Sequence, residues 1–94
     1  MAISFQDRVA LPQDVLLSGV QGESVLLNLK SERYFGLDEV GTRMLSVLTE
    51  SKSVQAAYET LLKEYEVDSE ALRQDLTTLV DKLIEQGLME VTVG

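Results

Sequence analysis

The sequence predicts a small α+β domain in which a three-stranded antiparallel sheet is followed by three helices. Apolar residues recur at every second position in the runs up to Leu37 and at every third or fourth position after Asp38. These are the periods of strands and of helices. The length of 94 residues is enough for one modest core and excludes a second domain. Because the strands come first, we expect the helices to cover one face of the sheet.

Three short β-rich runs form the predicted sheet. They cover residues 14–20, 24–30 and 33–37. The interruptions Gln21-Gly22-Glu23 and Ser31-Glu32 are typical of turns. Connections this short predict an antiparallel meander. Side chains alternate along the second and third runs, so we expect one sheet face in the core and the other half exposed.

The segment before the sheet, residues 1–13, is expected to be loosely ordered, and residues 14–94 to form the single domain. Pro12, the only proline, closes this segment. Its opening lacks the basic start and apolar middle of a signal peptide, and no apolar run has the length of a membrane span. The expected location is therefore the cytoplasm, with no membrane partner.

Capping residues mark the start of each predicted helix. Asp38 begins the first helix, which ends near Glu50, and Ser53 begins the second. Asp68 or Ser69 begins the third, and Gly87 is a natural residue to end it. The third helix has a core seam of leucines at helical spacing. The seam consists of Leu72, Leu76, Leu79 and Leu83.

The third helix has more apolar surface than one seam needs. Projected at about 100° per residue, the seam is flanked on one side by Arg73, Thr77, Val80 and Ile84. One interpretation is that strand residues or the C-terminal tail cover this second flank. The other is that the flank forms the wall of a binding groove.

Two absent residue types exclude most catalytic chemistry. The chain has no cysteine and no histidine, which excludes disulfides, thiolate nucleophiles and Cys/His metal sites. No phosphate-binding glycine loop is present. We therefore predict no catalytic residue, no metal and no cofactor. The formal charge of −8 disfavours nucleic acid and anionic membranes as partners.

Several short motifs together resemble one family. The resemblance covers residues 14–91 and is strongest in the hairpin, the first helix and the flanks of the third. The matching segments are Ser24-Val25-Leu26-Leu27-Asn28-Leu29, Arg33-Tyr34-Phe35-Gly36-Leu37-Asp38, Val40-Gly41-Thr42-Arg43-Met44, Tyr65-Glu66-Val67-Asp68, Asp75-Leu76 and Gly87-Leu88. This pattern resembles the PqqD-like family, small proteins that are also called RiPP recognition elements.

The resemblance implies a winged-helix-like fold that binds the leader region of a ribosomally made precursor peptide. In that family the leader adds as a strand along the edge of the third strand, and its apolar side chains enter the cleft between that strand and the third helix. Such strand addition combines main-chain hydrogen bonds with pockets for alternate side chains. Carried over to this sequence, the expected peptide-binding residues are Arg33, Tyr34, Phe35, Gly36, Leu37, Arg73, Asp75, Leu76, Thr77, Val80 and Ile84.

The implied partners are the precursor peptide and a separate maturation enzyme. That enzyme is a leader peptidase in lasso-peptide pathways and a radical-SAM enzyme in pyrroloquinoline quinone synthesis. Two alternatives remain. A DNA-binding winged helix is disfavoured because the third helix is acidic. A homodimer would pair through the same edge strand, so the expected state is a monomer or a weak homodimer.

Overall fold

A computed structural model describes residues 4–92 as an α+β fold of five strands and three helices. The elements in chain order are β1 (Arg8–Ala10), β2 (Val15–Val20), β3 (Glu23–Asn28), β4 (Tyr34–Leu37), α1 (Glu39–Glu50), α2 (Val54–Glu64), α3 (Ser69–Glu85) and β5 (Glu90–Thr92). The predicted order of three strands and three helices is confirmed. The structure adds a two-stranded sheet formed by β1 and β5.

The three-stranded sheet is an antiparallel meander of order β2-β3-β4. Its first hairpin turns through Gln21 and Gly22, with φ of 52° and 85°. Positive φ at both central residues is the geometry of a type I′ turn, which matches the twist of the flanking strands. In the register, Leu17, Leu26 and Phe35 share one row. Leu26 is fully buried, so this row marks the inner face.

Side-chain caps begin all three helices, as predicted. Gly41 N donates to Asp38 Oδ1 over 2.8 Å, Ala56 N to Ser53 Oγ over 3.1 Å, and Ala71 N to Asp68 Oδ2 over 3.1 Å. Helix α3 ends at Gly87, whose φ is 72°. The bonds from Gly87 N to Ile84 O and from Leu88 N to Leu83 O form a Schellman motif. None of the helices in residues 4–92 is long and apolar enough to cross a membrane.

The core lies between the inner sheet face and the three helices. Helix α1 packs on β3 and β4, and α2 packs on both α1 and α3. The largest side chains that are fully buried come from nearly every layer of the fold. They are Val9, Leu26, Leu45, Leu48, Val54, Leu61, Leu76, Val80, Leu83 and Leu88.

The N-terminal segment differs from the expected loose order over residues 4–13, while residues 1–3 lie outside the described part of the chain. Strand β1 pairs antiparallel with β5, and Val9 lies opposite Val91. The side chains of Phe5 and Val9 are buried. Val54 N donates to Asp7 O and Gln55 N to Phe5 O, each over 2.8 Å. The segment is therefore part of the packed fold.

Candidate functional site

Strand β4 leaves one row of backbone groups without a partner strand in the described chain. Asn28 N donates to Arg33 O over 2.8 Å, so Arg33 directs its backbone groups toward β3. Because these directions alternate along an antiparallel strand, Phe35 also bonds β3. Tyr34 and Gly36 therefore direct their N–H and C=O groups outward. The free edge offers two donors and two acceptors to an extended chain.

Few features of β4 protect its free edge. Proteins usually blunt such an edge with proline or charge, yet Tyr34–Leu37 contains neither. The Tyr34 side chain is 75% exposed. At Gly36 an added Cβ would meet no atom within 4 Å. A second backbone can therefore approach this strand closely.

One flank of α3 is anchored beside β4. Arg33 Nη1 donates to Gln86 Oε1 over 3.2 Å, and Asn28 Nδ2 donates to Gly87 O over 2.8 Å. The backbones of β4 and α3 otherwise make few direct contacts, and the space between them is where the resemblance predicts the peptide-binding cleft. At about 100° per residue, Asp75, Leu79 and Lys82 lie on the same flank of α3 as Gln86. We call these four residues the cleft flank.

The cleft flank combines one apolar side chain with charged neighbours. Leu79 is partly buried against the core, whereas Asp75 and Lys82 are exposed. This arrangement gives an apolar floor between polar rims, which suits an amphipathic segment. Asp75 was predicted from the sequence as a binding residue. The predicted binding residues do not include Leu79, Lys82 or Gln86, and only the contacts of Gln86 and Gly87 with the sheet identify their flank.

The opposite flank of α3 belongs to the fold. The Arg73 guanidinium lies over the Phe5 ring, 4.1 Å from its centroid, and 5.9 Å from the centroid of Tyr58. The two rings meet edge to face at 6.0 Å. Such cation–π contacts hold a cation against an aromatic pair. Arg73 is thus positioned by the N-terminal segment and α2.

Two predicted binding residues are core residues. Val80 and Leu76 are fully buried, so Val80 does not face a vacant groove in the free protein. Thr77 and Ile84 on the same flank are partly buried, and Thr77 Oγ1 donates to Arg73 O over 2.9 Å. The groove-wall interpretation of this flank fails because Val80 is fully buried and Arg73 packs over Phe5.

The clearest pKa shift in an acid among the described residues belongs to Glu64, where hydrogen bonds from the Arg43 guanidinium hold the pKa below its usual range. This ion pair joins α1 to α2. Among residues 4–92, no group of three or more Asp and Glu side chains is placed to hold a metal ion.

Comparison with known proteins identifies the family. The model of the family described as coenzyme PQQ synthesis protein D (PqqD) matches residues 23–89. The structure is similar to TbiB1 in complex with the TbiA(beta) leader peptide, with a TM-score of 0.80, 32% identity, and coverage of 90% of this chain and 99% of that one.

A second solved structure shares the fold. It is lasso peptide synthetase B1 complexed with the leader peptide, with a TM-score of 0.79, 24% identity, and coverage of 88% of this chain and 98% of that one. No curated protein sequence is significantly similar to the chain. The family match spans well over half of the residues, and the chain therefore belongs to the PqqD family.

Proposed function

We propose that this protein binds the leader segment of a ribosomally made precursor peptide, without catalysing a reaction, by adding the leader as a strand to β4. The observation that carries the proposal is the free edge at Tyr34 and Gly36 beside the cleft flank of α3. The leader-peptide complex of TbiB1, a similar protein, supports the same function.

Binding combines a general backbone interaction with selective side-chain contacts. The N–H and C=O groups of Tyr34 and Gly36 pair with the leader backbone, and this pairing tolerates many sequences. Alternate leader side chains then point to opposite sheet faces. Those on the inner side enter the cleft between Phe35 and Leu79, both of which are partly buried against the core. Apolar leader residues at these positions gain the burial of their surface.

The chain's role ends at recognition. It contains no thiol and no imidazole, the groups that most readily supply nucleophiles and proton transfer near neutral pH. A separate maturation enzyme, either a leader peptidase or a radical-SAM enzyme, acts on the bound precursor. The encounter takes place in the cytoplasm, where a ribosomal precursor is made.

A titration tests this function directly. The leader of the precursor encoded beside this protein's gene is labelled with fluorescein, and its polarisation is followed as the protein is added. We expect saturable binding with a Kd of about 1 μM or tighter, about −8 kcal/mol. Labelled duplex DNA, the control, should not bind at low salt. Salt-sensitive DNA binding without leader binding would favour the DNA-binding alternative.

Self-pairing through β4 is measured in the same samples. If two copies pair through this edge, the leader competes for the same backbone groups. When leader is present, we expect sedimentation to show a monomer at every protein concentration. A dimer that binds leader without dissociating would place the leader elsewhere.

A further inference from the structure

A trough crosses the outer face of the three-stranded sheet. The register aligns Ser18, Val25 and Gly36 in one row, and two of these side chains are small or absent. The lining also includes Val20, Gln21 and Glu23 at the first hairpin and Leu37 and Asp38 at the end of β4. The concavity has a volume of about 420 Å³. It extends to Asp38 at the start of α1, and none of its lining residues belongs to α3.

The trough opens at the free edge of β4. Gly36 lies on the edge strand and forms the mouth, since nothing fills the space that its Cβ would occupy. A leader residue that pairs directly with Gly36 projects its side chain onto this same face. Adjacent strands lie about 4.8 Å apart, so a long straight side chain lying over Gly36 reaches Val25. A short or branched side chain leaves the trough empty.

The chemistry of the lining specifies the occupant. Two apolar side chains of the lining are open to solvent, Val25 at 43% exposure and Val20 at 67%. Glu23 and Asp38 add two carboxylates, and no basic side chain lines the concavity. Asp38 Oδ1 accepts a bond from Gly41 N, which leaves its second oxygen and the whole Glu23 carboxylate available.

Resting on the proposed function, we infer that this trough is a specificity pocket for a lysine or arginine of the leader at the position facing Gly36. The aliphatic stem lies along Gly36 and Val25, and the cationic end reaches the carboxylate of Glu23. Long cationic side chains commonly bury their stems on apolar surface and keep their charge at a polar rim. The N-terminal dipole of α1 opposes a cation here, but Glu39 in its first turn offsets that partial charge.

The leader position facing Gly36 is found by disulfide trapping. The chain has no cysteine, so Gly36→Cys creates a unique thiol on the trough side. A set of leader peptides, each with one cysteine, is equilibrated with this variant in a glutathione buffer. Cross-linking should be strongest at one leader position, because disulfides require Cα atoms about 4.4–6.8 Å apart.

Leader variants at that position are then measured against protein variants. Gly36→Leu fills the mouth of the trough in a place where the structure has open space. We expect this change to weaken binding of a leader that carries lysine at the facing position by about tenfold more than binding of a leader that carries alanine there. Glu23→Gln should lower the preference for lysine over methionine by about threefold to fivefold. Glu66→Gln, an equal charge change at an exposed residue between α2 and α3, should not alter it.

The outcomes separate the pocket from the proposed function. If the unmodified protein binds no leader, the proposed function fails. If leader binds with equal affinity for lysine, methionine and alanine at the trapped position, the pocket inference is overturned and strand addition stands. A lysine preference that persists unchanged in both Gly36→Leu and Glu23→Gln also overturns it, because the preference then arises outside the trough.

Discussion

The two edges of the three-stranded sheet look equivalent by backbone chemistry but differ in what lies beside them. Leu29 N donates to Asp14 O over 2.8 Å, so Asp14, just before β2, directs its backbone groups toward the chain of β3. Because these directions alternate along the strand, the N–H groups of Leu17 and Gly19 point away from the sheet. Strand β2 contains no charge and no proline, like β4. Only β4, however, is joined to a flank of α3, through Arg33 and Gln86. We therefore expect the leader at β4, where a flank of α3 lies beside the open edge.

The largest expected effect concerns the buried face of α3, behind the cleft flank. Val80 and Leu79 are neighbours on α3, but Val80 is fully buried whereas Leu79 is partly exposed. Val80→Asp forces a carboxylate into the core and should cost more than about 3 kcal/mol of folding free energy. Leu79→Asp should cost much less, because its carboxylate reaches water. Urea unfolding of the two variants measures this, and equal losses would place Leu79 in the core.

The next largest effect distinguishes the two edges by their N–H groups. Tyr34→Pro and Leu17→Pro each remove one outward N–H and no bond within the sheet, a position where proline is tolerated. Tyr34→Pro should weaken leader binding by at least about thirtyfold, or about 2 kcal/mol. Leu17→Pro should change it by less than about threefold. Tyr34→Ala controls for the lost side chain, and equal losses in the two proline variants would refute the preference for β4.

A smaller effect is expected when the cleft itself is altered. In folded Leu79→Asp protein the carboxylate is exposed until the leader covers it, so binding should weaken by about tenfold. Arg73→Ala on the opposite flank of α3 should leave binding unchanged and lower the Tm slightly, because it removes the cation–π contacts with Phe5 and Tyr58. Calorimetric titration of both variants provides the test. A binding loss confined to Arg73→Ala would place the site on the Arg73 flank that the sequence predicts.

The smallest effect concerns the ion pair between α1 and α2 and depends on pH. The pKa of Glu64 is lowered in the folded state by Arg43, so the pair stabilises the fold above the ordinary glutamate pKa. This contribution is lost as pH falls through the lowered value. The groups are exposed, so screening keeps the effect small. Glu64→Gln should make the Tm slightly less sensitive to acid, and an unchanged acid profile would show that the pair adds nothing.

The sequence predicts the framework of this fold because its signals are local. Asp38, Ser53 and Asp68 bond amides three residues later, and Gly87 ends α3 through its own backbone geometry. The packing of other segments against α3 is not local in sequence. Helical periodicity gives the angles between the side chains of α3, but it does not say which segment packs on each flank. Arg73 packs over Phe5, which lies near the other end of the chain.

The same limit explains the N-terminal segment. A strand of three residues carries almost no signal of its own, and β1 forms against β5 at the other end of the sequence. The edge strand at Tyr34–Leu37 was predictable because its alternation and its two turns lie within one hairpin. The cleft flank was not, because Gln86 becomes informative only through its contact with Arg33.

Amide hydrogen exchange tests the central claim most directly, because it observes both edges in one sample. The protein is measured by NMR with and without the leader peptide. We predict that the amides of Tyr34 and Gly36 exchange rapidly in the free protein and become protected when leader is bound, while those of Leu17 and Gly19 remain unchanged. Protection of Leu17 and Gly19 with Tyr34 and Gly36 unaffected would contradict strand addition at β4.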